Sequence, residues 1–325
     1  VNTGGSTIAI RADGGGSIGL GHVMRCGALA RAFTDRGVQV IWVTRTPDAA
    51  PASLPESVDI AALQSDPDEA TLLRNILRQS GTRLLVGDWK FTDTELVARL
   101  RELMPVALIG GFTGDAVGDL HIRQSFLPQA PQGGRTELSG ADWLLLDQRY
   151  AGLPPRTVSG PARRVLVSLG GTQSALIDQI EAALRSQREL DGATFDWRLP
   201  AGATATRSLP SLFDSLIAAD IAILAGGTTL HEAAAAGLPA ICVPIVDNQY
   251  DRARQYQSCG LGVMIDPKSK CFERRLVESL AALLSAPERR QRMARRAQSR
   301  VDGRGAGRLA DHLISQFLRD GKESQ

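Results

Sequence analysis

The 325-residue chain has little cysteine, almost no net charge and no long apolar run, and each shortage excludes a class of function. Its four cysteines, Cys26, Cys242, Cys259 and Cys271, have no short paired spacing, so no C-x-x-C zinc or redox motif is expected. The four histidines, His22, His121, His231 and His312, are scattered and complete no zinc pattern. A formal net charge of +2 leaves no large electrostatic footprint for nucleic acid. The arginines crowded between Arg289 and Arg300 read as the solvated face of a late helix. No apolar run reaches the length of about 20 residues that spans a bilayer, and Val1 to Ser6 is polar and glycine-rich, unlike a secretion signal. A cytoplasmic protein is expected, with no nucleic-acid partner and no membrane insertion, and its oligomeric state stays open. Internal repeats and low-complexity segments are missing too.

What is there is an ordinary globular composition, 43% hydrophobic and 22% charged, with enough length for two domains that each bury a core. Strand-like and helix-like segments alternate from the start, which predicts an α/β chain of parallel sheets wound with helices. Strands are expected at 7–11, 38–44, 84–87 and 106–109, and helices at 22–35, 69–79 and 93–102. Val23, Cys26, Leu29, Ala30 and Phe33 share one face of the first helix. Prolines and a glycine punctuate Leu153 to Pro161, which reads as a linker between an N-terminal domain, 1–155, and a C-terminal domain, 162–325. Beyond it strands are expected at 164–168, 194–198 and 221–224, and helices at 175–187 and 212–218. Two Rossmann-like domains facing a cleft at the carboxyl ends of their sheets follow from that pattern.

The most informative stretch is Ala225-Gly226-Gly227-Thr228-Thr229-Leu230-His231-Glu232, continuing to Gly237-Leu238-Pro239 and Asp247-Asn248-Gln249. A strand that enters a helix through glycines lets the backbone approach an anion, and the first N–H groups of the helix point at it. Thr228 and Thr229 are placed to cap the helix or donate to phosphate. Glu232, one turn in, is a candidate acceptor for ribose hydroxyls, and Asn248 and Gln249 arrive at the same edge. Gly170-Gly171-Thr172, after the strand at 164–168, is a second turn of this kind. Together these are the expected nucleotide-diphosphate site, against the plainer reading of an ordinary strand-to-helix turn.

The catalytic candidate lies in the other half. Gly14-Gly15-Gly16-Ser17-Ile18-Gly19-Leu20-Gly21-His22 puts a histidine where a glycine-rich turn enters a helix. The positive end of the helix dipole there favours the neutral imidazole, the form that takes a proton, so His22 is a candidate general base. Arg25, three residues on, shares nearly the same face and is expected to meet a phosphate or an acidic residue. Asp13, at the end of the first strand, is expected to orient His22, hold a sugar hydroxyl or serve the turn.

Arg11-Ala12-Asp13, the loop to Gly19-Leu20-Gly21-His22, Met24-Arg25-Cys26 and Leu29-Ala30 resemble the opening of the UDP-sugar hydrolases of pseudaminic acid biosynthesis. In the second half Val167 to Thr172, Ala225 to Glu232, Gly237-Leu238-Pro239, Asp247-Asn248-Gln249 and Val301-Asp302-Gly303-Arg304-Gly305-Ala306 are similar to the same family and to its distant relative, the UDP-N-acetylglucosamine transferase of peptidoglycan synthesis. The resemblance spans nearly the whole chain. It implies a GT-B fold whose last helix packs back on the first domain, His22 as the base that activates water, and a UDP site at Gly226, Gly227, Thr228 and Glu232. The middle departs from the family: Asp88-Trp89-Lys90 stands in place of Asp-His-Tyr, Gly110-Gly111 in place of an Asp pair, and Asp147-Gln148 in place of Gly-Pro ahead of the retained Tyr150. Gly19, Gly21, Arg25, Asp88, Trp89, Lys90 and Tyr150 are therefore expected on an altered sugar or acceptor side.

Three readings follow. In the first, a UDP-sugar hydrolase, His22 deprotonates water for inverting attack at the anomeric carbon, with no cofactor and no metal. Asp66-Pro67-Asp68 has metal-holding spacing but reads as a surface turn. In the second, a glycosyltransferase with the same donor, the nucleophile is an acceptor hydroxyl, and Trp89 is a candidate to stack on the acceptor, although an aromatic at a strand end more often packs. In the third, the chain binds a nucleotide-sugar without turning it over.

Overall fold

Six consecutive buried residues form β1 (Thr7–Ala12), and their burial on both sides is what a strand in the middle of a parallel sheet requires. The computed structural model describes residues 6–15, 18–63, 69–90, 92–110, 117–131, 135–170, 175–185, 187, 190–198 and 211–318. The chain divides into two compact units, residues 1–148 with 304–325, and residues 149–303.

In the first unit β1 is followed by α1 (Gly21–Thr34), β2 (Gln39–Thr44), β3 (Asp59–Ala62), α2 (Glu69–Gln79), β4 (Thr82–Asp88), α3 (Thr94–Arg101), β5 (Val106–Ile109), β6 (Leu120–Arg123) and β7 (Glu137–Ser139). The strands lie in the order β3-β2-β1-β4-β5-β6-β7 and every pairing is parallel. Side chains alternate across the sheet: Ile8, Ile10 and Ala12 join the core under α1, while Ala9 joins Leu73, Leu77, Val97 and Leu100 under α2 and α3. The direction of winding reverses between β1 and β4, where a doubly wound sheet leaves its binding crevice. Three strands of this unit were not expected from the pattern. β3 is an exposed edge without alternation, and β6 and β7 are only four and three residues long.

The second unit holds β8 (Arg164–Ser168), α4 (Ala175–Arg185), β9 (Thr194–Arg198), α5 (Leu212–Ala218), β10 (Ile221–Leu224), α6 (Thr229–Ala235), β11 (Ala240–Cys242), α7 (Tyr250–Ser258), β12 (Gly262–Met264), α8 (Phe272–Leu284) and α9 (Pro287–Arg300). Its parallel sheet runs β12-β11-β10-β8-β9, reversing between β8 and β10. Leu153 to Pro161, expected as a linker, is fastened to this unit. Gln298 accepts from Arg156 N at 2.7 Å and donates to Pro154 O at 3.0 Å, and Gln291 accepts from Val158 N and donates to Arg156 O, both at 2.9 Å. The Arg156 guanidinium caps the end of α5, donating to the carbonyls of Leu216, Ile217 and Ala219, and to Ala236 O.

The chain then returns to the first unit as α10 (Gly305–Leu313), which adds Ala306, Leu309, Ala310 and Leu313 to the core beside α1. Asp311 clasps Arg36 through both oxygens, at 2.6 and 2.8 Å. A Cβ at Gly305 would overlap the carbonyl oxygen of Leu144, so the helix starts where only glycine fits. Gly305→Ala is expected to cost about 1–3 kcal/mol by overpacking, read as a lower urea midpoint with unchanged slope.

Candidate functional site

His22 occupies the first turn of α1, at the reversal point of the first sheet, and Asp88 ends β4 directly beside it. His22 Nδ1 lies 2.7 Å from Asp88 Oδ1. An ionised carboxylate only accepts, so Nδ1 carries a hydrogen, and in the neutral ring that leaves the lone pair on Nε2. Nε2 has no hydrogen-bond partner among the described residues, and the ring is 19% exposed. Arg25 grips the same carboxylate bidentately, Nε to Oδ2 and Nη2 to Oδ1, both at 2.6 Å. Cys26 Sγ donates to Oδ2 at 3.4 Å. His22, Arg25 and Cys26 therefore use helical spacing to converge from one face of α1 on a single buried carboxylate.

The charges explain why this cluster tolerates burial. Burial alone would raise the Asp88 carboxyl, but the Arg25 cation and the His22 hydrogen bond outweigh it and hold it below the usual carboxylate range. Arg25 is raised because the Asp88 charge outweighs its own desolvation. Burial, reinforced by the Asp88 charge, pushes the Cys26 thiol well above the ordinary range, so it remains a neutral donor. Gly110 backs the cluster with φ +112°, and a Cβ there would lie 3.2 Å from Arg25 Nη2. That closeness favours glycine at a position where the resemblance expected an acidic residue.

Asp13, expected as a partner for His22, is held elsewhere. Its Oδ1 accepts from Arg45 N at 2.7 Å and Thr44 Oγ1 at 3.0 Å and lies 2.6 Å from Arg11 Nη1. Arg11, buried, also donates to Glu69 at 2.8 Å, and Glu69 pairs with Arg45 at 2.6 Å. Asp13 is lowered: its hydrogen bonds and the Arg11 cation outweigh partial burial. This network anchors the start of the glycine-rich loop, where Gly14 N donates to Thr46 Oγ1 at 2.9 Å. Gly15 and Gly19 then pinch the loop with two mutual backbone hydrogen bonds of 3.0 and 3.2 Å, both at φ +82°. Gly16 and Ser17 lie outside the described residues, while Gly21 opens α1.

In the second unit the turn after β10 has the form expected. Gly226 is buried against Gln249, and a Cβ there would stand 2.8 Å from Gln249 Cβ. Gln249 Oε1 accepts from Gly226 N at 3.1 Å and Ile245 N at 2.9 Å, and Arg252 Nη1 donates to Gly226 O at 2.6 Å. Gln249 is thus a clamp between the two sheet-edge loops, and Arg252 is a second clamp that sequence reasoning missed. Gly227 faces open space, and Thr228, the N-cap of α6, makes no side-chain cap. The N–H groups of Gly227, Thr228 and Thr229 precede the first backbone bond of the helix, from Leu230 N to Gly227 O. Glu232 is half-buried in the first turn and Asn248 is exposed. Gln249→Ala strands two backbone donors and is expected to cost about 1–3 kcal/mol for each that water does not reach, measured by urea unfolding.

Several expected residues fall outside these clusters. The Trp89 ring lies over Gly87, filling the space of its missing side chain, and packs on the core under α2 and α3. The half-buried ring therefore packs, the commoner of the two expectations for an aromatic at a strand end. Lys90 is exposed. Tyr150 is buried in the second unit edge-on to Phe213, ring centroids 5.0 Å apart, which removes it from a sugar-facing surface. Gly170 is exposed at φ +89°, while Gly171, Thr172, Gly111 and Asp66 to Asp68 lie outside the described residues. Among the described residues no three His, Cys, Asp or Glu side chains gather as a metal site, and no helix is long and apolar enough to cross a membrane.

Residues 210–307 match the Glycosyltransferase family 28 C-terminal domain. Over 95 residues the chain is 43% identical to the UDP-N-acetylglucosamine--N-acetylmuramyl-(pentapeptide) pyrophosphoryl-undecaprenol N-acetylglucosamine transferase of Alkalilimnicola ehrlichii, a match covering 28% of this chain and a quarter, 25%, of that protein's own length. It is 20% identical to the spore coat polysaccharide biosynthesis protein SpsG of Bacillus subtilis, with 93% of this chain and 96% of that one covered. Among solved structures, the glycotransferase of kitacinnamycin superimposes with a TM-score of 0.68 at 18% identity, covering 96% of this chain and 99% of its own. The fold is GT-B. The spinosyn rhamnosyltransferase SpnG complexed with thymidine diphosphate shares it, with a TM-score of 0.64 at 16% identity, covering 95% of this chain and 99% of its own. Within this GT-B chain the family 28 match contains the whole Gly226 to Gln249 turn, and the His22 cluster lies outside it.

Proposed function

We propose that the chain is a nucleotide-sugar hydrolase that releases UDP and free sugar. The observation that carries this reading is the His22 ring, whose Nδ1 is fixed by a buried carboxylate and whose Nε2 has no hydrogen-bond partner among the described residues. Water gives its proton to Nε2 while its oxygen bonds to the anomeric carbon. The bond from that carbon to the diphosphate oxygen breaks, and its electron pair leaves with UDP, so the configuration inverts. The N–H groups of Gly227, Thr228 and Thr229 are the donors for the growing charge on the diphosphate, and no metal is required of the reading. Glu232 is assigned to the ribose. The similarity to SpsG over nearly the full length supports a reading that uses both units.

A second reading is favoured by the family 28 match and by structural neighbours that are themselves named transferases: His22 deprotonates an acceptor hydroxyl instead of water. One panel separates the two. Purified protein is given UDP-sugars without acceptor and with no added metal, and UDP release is followed. Release in water alone is the hydrolase result. Release only on adding a sugar or aglycone acceptor gives the transferase, and UDP binding with no turnover of any donor gives a binding protein.

A further inference from the structure

A carboxylate hydrogen-bonded to an imidazole normally stabilises the imidazolium, and a ring that is already protonated takes no proton from a nucleophile. Asp88 alone would therefore work against His22 as a base. Arg25 changes the balance. Its Nη2 lies 3.2 Å from His22 Nδ1, and both atoms donate to the same oxygen, Asp88 Oδ1. A second cation on the imidazole would sit against this guanidinium, whereas the neutral ring with hydrogen on Nδ1 keeps every partner satisfied.

We propose that Arg25 is a positioning residue: it cancels the Asp88 charge at the His22 ring, so that Asp88 fixes the tautomer without holding the ring protonated. The inference rests on the reading of His22 as base. Among the described residues, the groups in contact with the ring are Asp88 from β4 and Arg25 from α1, and that pair is backed by Cys26 from α1 and by Gly110 after β5. Cys26 stays a neutral thiol, and Gly110 brings no charge. The nearby Arg11, Asp13, Glu69 and Arg45 pair with one another. Among the described residues, Arg25 and Asp88 are therefore the opposed charges in contact with the His22 ring. The side chain of Asp88 has no exposed surface and that of Arg25 is 9% exposed, so solvent screens neither strongly.

The test is a pH titration of the His22 ring by NMR, its signal assigned by loss in His22→Ala, in the wild type, Arg25→Met, Arg25→Lys, Asp88→Asn and the double variant Arg25→Met with Asp88→Asn. Arg25→Met is expected to raise the His22 midpoint by about 1–2 pH units and Asp88→Asn to lower it by a similar amount. Arg25→Lys keeps the cation and stays near wild type, and the double variant returns towards wild type. If Arg25→Met fails to fold, the comparison of Asp88→Asn with the double variant still isolates Arg25. Equal midpoints in those two, or no rise in Arg25→Met, would overturn the proposal. UDP release measured across the same pH range separates the two levels of argument. A ring midpoint that shifts as stated while the acid limb of the rate does not follow keeps the charge balance and sinks His22 as base. An acid limb that vanishes with His22 but a ring indifferent to Arg25 does the reverse.

Discussion

Replacing His22 by alanine is expected to lower the turnover number for UDP release by about 10²- to 10⁴-fold, the range of a positioned general base, with KM little changed. The magnitude corresponds to roughly 3–5 kcal/mol of transition-state stabilisation. KM is spared because the donor's diphosphate is assigned to the Gly226 to Thr229 turn, which the substitution does not touch, and an interaction made only in the transition state appears in kcat. The fold is expected to survive. His22 sits in the first turn of α1, and Asp88 Oδ1 keeps its bond to Arg25 when the ring is gone. Steady-state release of UDP, with circular dichroism and UDP binding as controls, reads the effect. An equal loss of UDP binding and turnover would instead place His22 in ground-state binding.

Asp88→Asn is the second large effect, expected to lower kcat by about 10²- to 10⁴-fold with the base itself still present. Asparagine can offer either its oxygen or its NH₂ to Nδ1, so the ring is no longer confined to the tautomer that leaves Nε2 free. Asp88→Ala adds a structural cost, because it strands the Arg25 guanidinium in the interior. Losing one member of a buried pair typically destabilises by about 3–5 kcal/mol, measurable as a lower urea midpoint. The pH dependence has a definite sign. The Asp88 carboxyl is lower in the folded chain than in the unfolded one, so its stabilisation is fully present above the unfolded value of about 4 and is lost as pH falls towards the folded one. Wild type should therefore lose stability on acidification more steeply than Asp88→Asn.

Much of this was legible in the residues. The apolar positions of α1 fall on one face at 3.6-residue spacing, and Val23, Cys26, Leu29, Ala30 and Phe33 are all buried. The turn after β10 was legible for a similar reason, since a glycine pair between an apolar strand and an alanine-rich helix has few other geometries. The partnership of His22 with Asp88 was not, because 66 residues separate them and only the parallel pairing of β1 with β4, Ala12 opposite Asp88, brings the strand end to the helix start. Asp13 looked the better partner by proximity in the chain, and it is consumed by Arg11, Arg45 and Thr44. That Trp89 packs was the commoner expectation, but its place was not legible because it depends on what a neighbour lacks: Gly87 has no side chain, and the indole fills that space. Prolines in Leu153 to Pro161 suggested a free linker, whereas Gln291 and Gln298, one heptad apart on α9, pair with its backbone and Arg156 anchors it to α5 and to Ala236 O.

The central claim is that a nucleophile activated by His22 attacks carbon, and that water is that nucleophile. Turnover in ¹⁸O-enriched water, with mass analysis of the UDP released, tests it most directly. The account predicts UDP release without acceptor, with no ¹⁸O in the diphosphate, because the bond that breaks is the one between the anomeric carbon and oxygen. Heavy oxygen in the released UDP would mean attack at phosphorus, and would contradict it.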